Sequence, residues 1–327
     1  MAQQHELDIV GLVEVAGRPV SIADISTTLE LDSSVVVETV EDLTRQGVLS
    51  DSPAGVTRGK SAFEVSSARV ALLSGKWADA LKTTDAPPLA IGEALQAAGR
   101  GPEATEHLVA AARAGGPESA RAASLALEAG TISGEMEGEL RLIRARHYRG
   151  LGRSLEAAAD LEVAVRRLTG PAQVDAIGFA AAVADDRQHP AESATFAALG
   201  AGVASTIGEN TKEGSLLTLL GRSLNRIGFP DEADASHAKG QSLLEEHGSP
   251  IQRFLGRMNE GWIHLDRGEM RQAEAIFSAL RDRAMDVEGE VSLADKEAYW
   301  ARALFGIGHI SEGFAAQGRA LILAEKT

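Results

Sequence analysis

Arginine and aromatic side chains recur at a regular spacing in the second half of the chain, where they could bind an anionic group. Ala182, Arg222, Trp262 and Arg302 follow one another at intervals of 40 residues, and Arg146 lies 36 residues before the first of them. Guanidinium groups bind carboxylates and phosphates through paired hydrogen bonds, and an aromatic ring offers a flat contact surface. If each interval holds the same element, these side chains share one surface.

Other polar residues lie on the same helical face if these segments are helices, because positions three or four apart are neighbours on a helix. Asn259, beside Gly261, is suited to hold a peptide backbone. The residues predicted to line a ligand- or partner-binding groove are Arg146, Arg149, Arg222, Asn225, Arg226, Asn259, Trp262 and Arg302. The alternative is that these arginines are solvated or pair with Asp185, Asp186 and Asp266 of adjacent repeats, since exposed charges are usually uncommitted.

Residue patterns typical of catalysis are absent from the sequence. The eight histidines are scattered without HExxH spacing, and there is no cysteine, no GxSxG and no GxxxxGKS or GxxxxGKT phosphate loop. The glycine-rich stretches at Gly150 and Gly306 follow no predicted strand. We therefore predict no enzyme activity, no cofactor and no metal site.

Glycine and alanine positions indicate the elements that carry the groove. Gly228, Gly268 and Gly308 each close a helical segment at the 40-residue spacing, and Gly221 and Gly261 keep the same register. The copy EGWIHLDRGEMRQAEAIFSAL resembles the tetratricopeptide repeat (TPR), in which two helices meet through small residues. The resemblance implies an all-α fold with a TPR-like α-α superhelix, or solenoid, over 137–327 and a concave surface.

The N-terminal part has a different pattern. Three amphipathic segments are followed by VLSDS and AFEVS, which we predict to be two strands joined by the loop PAGVTRGK. This order resembles a small winged helix-turn-helix domain over 1–66. Residues 67–136 are predicted to form an irregular helical connector of degenerate repeats, because proline and glycine interrupt its helices without a clear period.

Negative charge argues against nucleic-acid binding by this domain. The chain has a formal net charge of −15, and residues 1–66 hold eleven acidic and four basic residues, a net of −7. A protein that binds DNA gains affinity by neutralising phosphates, and the third segment is acidic. We predict no direct DNA contact; if DNA did bind, the candidate residues would be Arg45, Arg58 and Lys60.

The domain order resembles the middle of LuxR-type and related signal-transduction ATPase (STAND) transcriptional regulators. In that family a winged helix packs against a nucleotide-binding domain, and a TPR-like sensor follows. The resemblance implies a non-catalytic sensor or interaction region of a transcriptional regulator. Its groove would bind a protein, a peptide or a small anionic effector, and its winged helix would relay that state to an ATPase domain.

Two alternatives remain open. One is a self-contained, peptide-sensing transcription factor that binds DNA through the N-terminal domain, and the other is a plain TPR scaffold protein. The first residues do not show the basic start and apolar core typical of a signal peptide, and no stretch reaches the ~20 apolar residues needed to span a membrane. Together with the absence of cysteine, this predicts a cytoplasmic protein without a membrane partner.

Overall fold

The chain is helical almost throughout in a computed structural model that describes residues 2–61, 63–130, 132–282 and 290–325. Within these ranges there are seventeen helices and two short strands. The chain forms two compact units, Met1–His147 and Tyr148–Thr327. In the described ranges, no helix combines the length and the apolar character needed to cross a membrane.

The first unit begins with three helices and a two-stranded antiparallel sheet. The elements are α1 (Ala2–Ala16), α2 (Ile22–Leu29), α3 (Ser33–Arg45), β1 (Leu49–Ser50) and β2 (Thr57–Arg58). The side chains of Ser21 and Asp32 accept hydrogen bonds from backbone N–H groups in the first turns of α2 and α3. An isolated bridge between Val20 and Val56 ties the segment before α2 to the segment before β2.

The second strand predicted from the sequence, residues 62–66, is wrong. The structure places β2 earlier, inside the segment predicted as the loop, and Ala62 lies outside the described residues. Val56 is fully buried, and a Cβ on Gly59 would lie 2.2 Å from the carbonyl oxygen of Gly47. The glycine that suggested a loop is therefore needed for close approach of two backbone segments.

Four further helices complete most of the first unit. They are α4 (Ser67–Thr83), α5 (Pro88–Ala97), α6 (Gly101–Arg113) and α7 (Ser119–Glu128). Leu73 and Trp77 of α4 belong to the same buried apolar cluster as Ile9 and Leu12 of α1. The first three helices therefore share their hydrophobic core with the helices that follow.

Helical pairs with a regular period form the rest of the chain. The helices are α8 (Gly134–Gly150), α9 (Ser154–Arg167), α10 (Gly170–Asp186), α11 (Pro190–Thr206), α12 (Asn210–Arg226), α13 (Pro230–His247), α14 (Pro250–Asp266), α15 (Met270–Asp282), α16 (Glu290–Gly306) and α17 (Ile310–Ala324). Helices α10, α12, α14 and α16 start at 170, 210, 250 and 290. The predicted 40-residue period is present in the helix boundaries.

Glycine is needed at two kinds of position in the helix pairs, in the turns and at a close contact between helices. Gly228, Gly268 and Gly308, in the turns, have φ angles of 89°, 77° and 85°, a left-handed conformation that costs glycine little. Within the helices, a Cβ on Gly261 would lie 2.6 Å from the ring of Phe277. The absence of a side chain at Gly261 therefore lets the aromatic ring pack directly on the α14 backbone.

The preceding repeat has His237 where Phe277 lies in the next one. Its side chain is buried, and its Nε2 lies 3.9 Å from a carboxylate oxygen of Glu260 and 3.5 Å from the amide nitrogen of Gln241. Polar neighbours lie on the Nε2 side of the imidazole, whereas Nδ1 is buried and has no hydrogen-bond partner among the described residues.

Candidate ligand-binding pocket

A pocket of about 360 Å³ lies on the surface formed by α10, α12 and α14, the first helices of three consecutive repeats. We call it the first-helix pocket. Its walls repeat with the period of the fold, since Asp175, Ser215 and Leu255 share one register position and Ala182 and Trp262 share another. The lining residues are Val174, Asp175, Gly178, Ala182, Lys212, Ser215, Leu216, Thr218, Leu219, Gln252, Leu255, Gly256, Asn259 and Trp262.

Apolar side chains make up much of the wall of the pocket. Leu216 is buried, and Leu255 is 47% exposed although it is apolar. Exposed leucine beside a concave apolar wall leaves hydrophobic surface in contact with water, and a ligand that covers it gains free energy. The pocket therefore offers an apolar contact surface.

The two ionisable side chains in the lining pair with each other. The Lys212 Nζ lies 2.6 Å from a carboxylate oxygen of Asp175 and donates a hydrogen bond of 3.0 Å to the carbonyl oxygen of Pro171. This pair brings no net charge to the pocket.

Asn259 is held in a defined orientation at the base of the pocket. The Thr218 hydroxyl donates to the Ser215 carbonyl at 2.9 Å, so its oxygen is left to accept from the Asn259 amide nitrogen at 3.1 Å. The carboxamide oxygen of Asn259 has no hydrogen-bond donor among the described residues. It is available to accept a hydrogen bond from a ligand.

Trp262 forms a wall of the pocket and is fixed from two sides. Its ring makes an edge contact with Tyr299, with centroids 5.1 Å apart, and the guanidinium carbon of Arg222 lies 3.8 Å from the ring centroid. The indole nitrogen is buried and, within the described ranges, has no hydrogen-bond partner. Stacking by a cation stabilises the ring and covers the arginine at the same time.

Arg222 and Arg226 both pair with Asp185. A guanidinium nitrogen of Arg222 lies 3.0 Å from one carboxylate oxygen, and one of Arg226 lies 2.6 Å from the other. A second nitrogen of Arg226 donates to Gln188 at 2.6 Å. Burial lowers the pKa of Arg222, and the charge of Asp185 partly offsets this.

Two more predicted groove residues also have partners within the second unit. Arg149 donates to Asp186 at 2.6 Å and lies 5.2 Å from the ring centroid of Phe179. Asn225 accepts a hydrogen bond of 2.7 Å from Arg267. Of the three aspartates considered as alternative partners, Asp185 and Asp186 contact the arginines, and Asp266 forms no ion pair with them among the described residues.

The structure does not gather all the predicted groove residues in one place. Asn259 and Trp262 line the first-helix pocket, and Arg222 lies against Trp262. Arg302 is exposed on α16. Arg146 belongs to the first unit and lines an open cleft there.

Two of the three candidate DNA-contact residues have partners within the chain. The guanidinium group of Arg45 pairs with Asp42 one turn away on α3, and Arg58 donates to the carbonyl oxygen of Phe63 at 3.3 Å. Lys60 is exposed, as are Glu38 and other acidic side chains of α3. The surface of α3 keeps the acidic character that the sequence predicts.

Asn259 and Trp262 were predicted from the sequence, but Gln252 and Leu255, which precede them on α14 and also line the pocket, were missed. Gln252, Leu255 and Asn259 lie ten, seven and three residues before Trp262, a spacing that puts all four on one helical face. Extending the 40-residue register toward the helix N-terminus would have found Leu255 together with Ser215. The predicted arginines lie on the same face but nearer the turn, where ion pairs such as those of Asp185 cover the surface.

No protein-family model matches the chain, and no curated protein matches it in sequence. Solved structures match it in fold. The crystal structure of a Rap protein complexed with Competence and Sporulation Factor has a TM-score of 0.58 and 9% identity, and the match covers 79% of this chain and 72% of that chain.

Two further solved structures are similar. A signal-transduction ATPase (STAND) protein with a tetratricopeptide repeat sensor, from Pyrococcus horikoshii, has a TM-score of 0.47 and 13% identity, over 92% of this chain and 54% of that chain. A kinesin light chain of Podosopora anserina with TPR-like repeats has a TM-score of 0.42 and 15% identity, over 59% of this chain and 98% of that chain. This chain has a TPR-like helical-repeat fold.

Proposed function

We propose that this chain is a non-catalytic sensor region of a transcriptional regulator and that its first-helix pocket binds the effector. The observation that carries the proposal is that three consecutive repeats together form one pocket of about 360 Å³. This volume lies within the range of small-molecule and cofactor sites, and such sites are mostly apolar with a few oriented polar groups. We favour binding over catalysis because the two ionisable side chains in the lining, Lys212 and Asp175, form an ion pair with each other.

The first unit, in this proposal, relays the bound state through protein contacts. The order of its first three helices and two strands fits a winged helix-turn-helix, but Glu38 and Glu41 are exposed on α3, and Arg45 is paired with Asp42. An acidic surface repels phosphate and suits a basic protein surface such as that of a partner ATPase domain.

The relay has a physical basis in the core of the first unit. The buried cluster that holds Ile9 and Val36 also holds Leu73 of α4 and Leu108 of α6. Close-packed interiors transmit strain because they cannot deform continuously. A displacement of α4 therefore reaches the exposed surface of α3.

Selection from a random peptide library displayed on phage tests the pocket. Ala182 is half-buried and lines the pocket, so Ala182→Phe fills it from within, whereas Ala198→Phe makes the same change on the exposed side of α11. We expect peptides that bind wild type and Ala198→Phe to lose binding to Ala182→Phe. Equal recovery on all three proteins would contradict the proposed site.

A further inference from the structure

We infer that the first-helix pocket takes an uncharged, apolar ligand that carries amide groups, such as a blocked or internal segment of an apolar peptide. The inference rests on the proposed function and specifies the ligand class of the same site. It differs from the anionic effector that the arginine pattern suggested, because Arg222, which lies against the pocket wall, and Arg226 both pair with Asp185.

The charged groups at the pocket balance each other. The Lys212 ammonium lies 2.6 Å from Asp175 and also contacts the Pro171 carbonyl. An anion entering the pocket would be attracted by Lys212 but repelled by Asp175. A cation would be attracted by Asp175 but repelled by Lys212. Burying a charge without a partner of its own is costly, so a neutral ligand is favoured.

The nearest arginine does not alter this balance. Arg222 lies on Trp262, which is itself a wall of the pocket, and pairs with Asp185 at 3.0 Å. The side chain of Arg222 is only 16% exposed. To reach it, an anionic ligand would have to displace the tryptophan ring or compete with the carboxylate of Asp185.

Two oriented carboxamides provide the polar contacts. The Asn259 oxygen is directed away from Thr218, because the hydrogen-bond chain through Thr218 uses the Asn259 nitrogen. The Gln252 oxygen accepts a hydrogen bond of 2.8 Å from the Ser249 backbone as part of the N-terminal cap of α14. Gln252 therefore presents its NH₂ group as a donor, and Asn259 presents its oxygen as an acceptor.

The separation of these groups sets the length of the ligand. Gln252 and Asn259 are seven residues apart on α14, which is about 10 Å along the helix axis. An extended peptide advances roughly 3.3–3.6 Å per residue, so about three residues join a carbonyl oxygen at Gln252 to an N–H at Asn259. The apolar side chains of such a segment would cover Leu216, Leu219 and Leu255.

Two mixtures of tripeptides test the ligand class. Both are built from Ala, Val, Leu and Phe and are acetylated at the N-terminus; one has a C-terminal amide and the other a free carboxylate. Affinity selection read by mass spectrometry compares the two on the full chain. We expect each captured blocked peptide to bind about tenfold more tightly than its free acid, a difference of about 1.4 kcal/mol.

Asn259→Ala then locates the hydrogen bond. For the blocked peptide captured most strongly, this substitution should weaken binding about fivefold, the worth of one hydrogen bond. N-methylation of the peptide nitrogen that faces Asn259 should weaken binding to wild type but cause no further loss in Asn259→Ala. Ala182→Phe should abolish capture and Ala198→Phe should retain it.

The outcomes separate this inference from the proposed function. Equal or tighter capture of the free acids, or capture of neither mixture, would overturn the neutral ligand class. The proposed function would still stand if the phage peptides lost binding to Ala182→Phe and kept binding to Ala198→Phe. Phage binders that are indifferent to Ala182→Phe would overturn the site and, with it, the ligand class.

Discussion

Asp185 holds two arginines, and its neighbour Asp186 provides a matched comparison. Asp185 is 11% exposed in its side chain and contacts Arg222 and Arg226, whereas Asp186 is 38% exposed and contacts Arg149. Removing one partner of a buried pair leaves a desolvated charge, but exposed pairs contribute little. We expect Asp185→Ala to lower the free energy of unfolding by about 3 kcal/mol.

Asp186→Ala should cost less than about 1 kcal/mol because its ion pair is solvated. Urea denaturation of both variants, followed by circular dichroism, measures the difference. Similar losses in the two variants would show that the Asp185 cluster is not buried in solution.

The residue types of the site were predictable, and Asp185 and Asp186 were named as possible partners of the arginines, but the sequence did not decide between these partners and a ligand. The 40-residue spacing identifies Trp262 and Arg222 as equivalent positions in consecutive repeats, and Asn259 follows from its helical face. Whether an arginine faces a ligand or an aspartate depends on side-chain packing between adjacent repeats. Asp185 lies 37 residues before Arg222 in the sequence, and nothing in the local pattern specifies that they meet.

At the scale of elements, close packing at Gly261 governs how α14 and α15 fit together. A Cβ at this position would lie 2.6 Å from the Phe277 ring. Gly261→Ala should therefore destabilise the protein by about 1–3 kcal/mol through overpacking. In a Phe277→Leu background the same substitution should cost clearly less, and thermal unfolding of the four proteins measures this coupling. Additive effects would mean that the two residues do not touch.

The turns between paired helices depend on a left-handed residue. Gly228 has φ = 89° and no neighbour that would hinder a Cβ, so Gly228→Ala isolates the conformational cost, about 1 kcal/mol. Gly202 lies inside α11, in open space and without a positive φ, so Gly202→Ala should instead stabilise the protein by about 0.5–1 kcal/mol. Shifts of the same sign in the urea midpoint would contradict this account of the turns.

The helices were more predictable than the strands. Periodic small residues mark the turn within each helical pair and the contacts between its two helices, and first helices begin at 40-residue steps as the pattern requires. The position of β2 depended instead on burial of Val56 and on close approach of Gly59 to Gly47, contacts between segments that are distant in sequence. A short strand lacks the length over which alternation becomes distinctive.

For the whole molecule, a net charge of −15 makes phosphate binding unfavourable. We expect no binding to random-sequence duplex DNA even at low salt, where weak phosphate contacts are strongest. The control is Lys60→Glu, a change at an exposed residue of the first unit. Salt-sensitive binding by wild type that this variant weakens would favour the self-contained DNA-binding regulator.

The three tryptophans allow the most direct test of the central claim, that effectors bind in the first-helix pocket. Trp262 lines the pocket, Trp77 is buried in the first unit, and Trp300 donates its indole N–H to Glu274. In ¹⁵N-labelled protein, titration of the strongest library peptide should shift the indole signal of Trp262 and leave that of Trp300 in place, and the signal of Trp77, on α4, reports whether the bound state reaches the first unit. An unchanged Trp262 signal at saturating peptide would contradict the account.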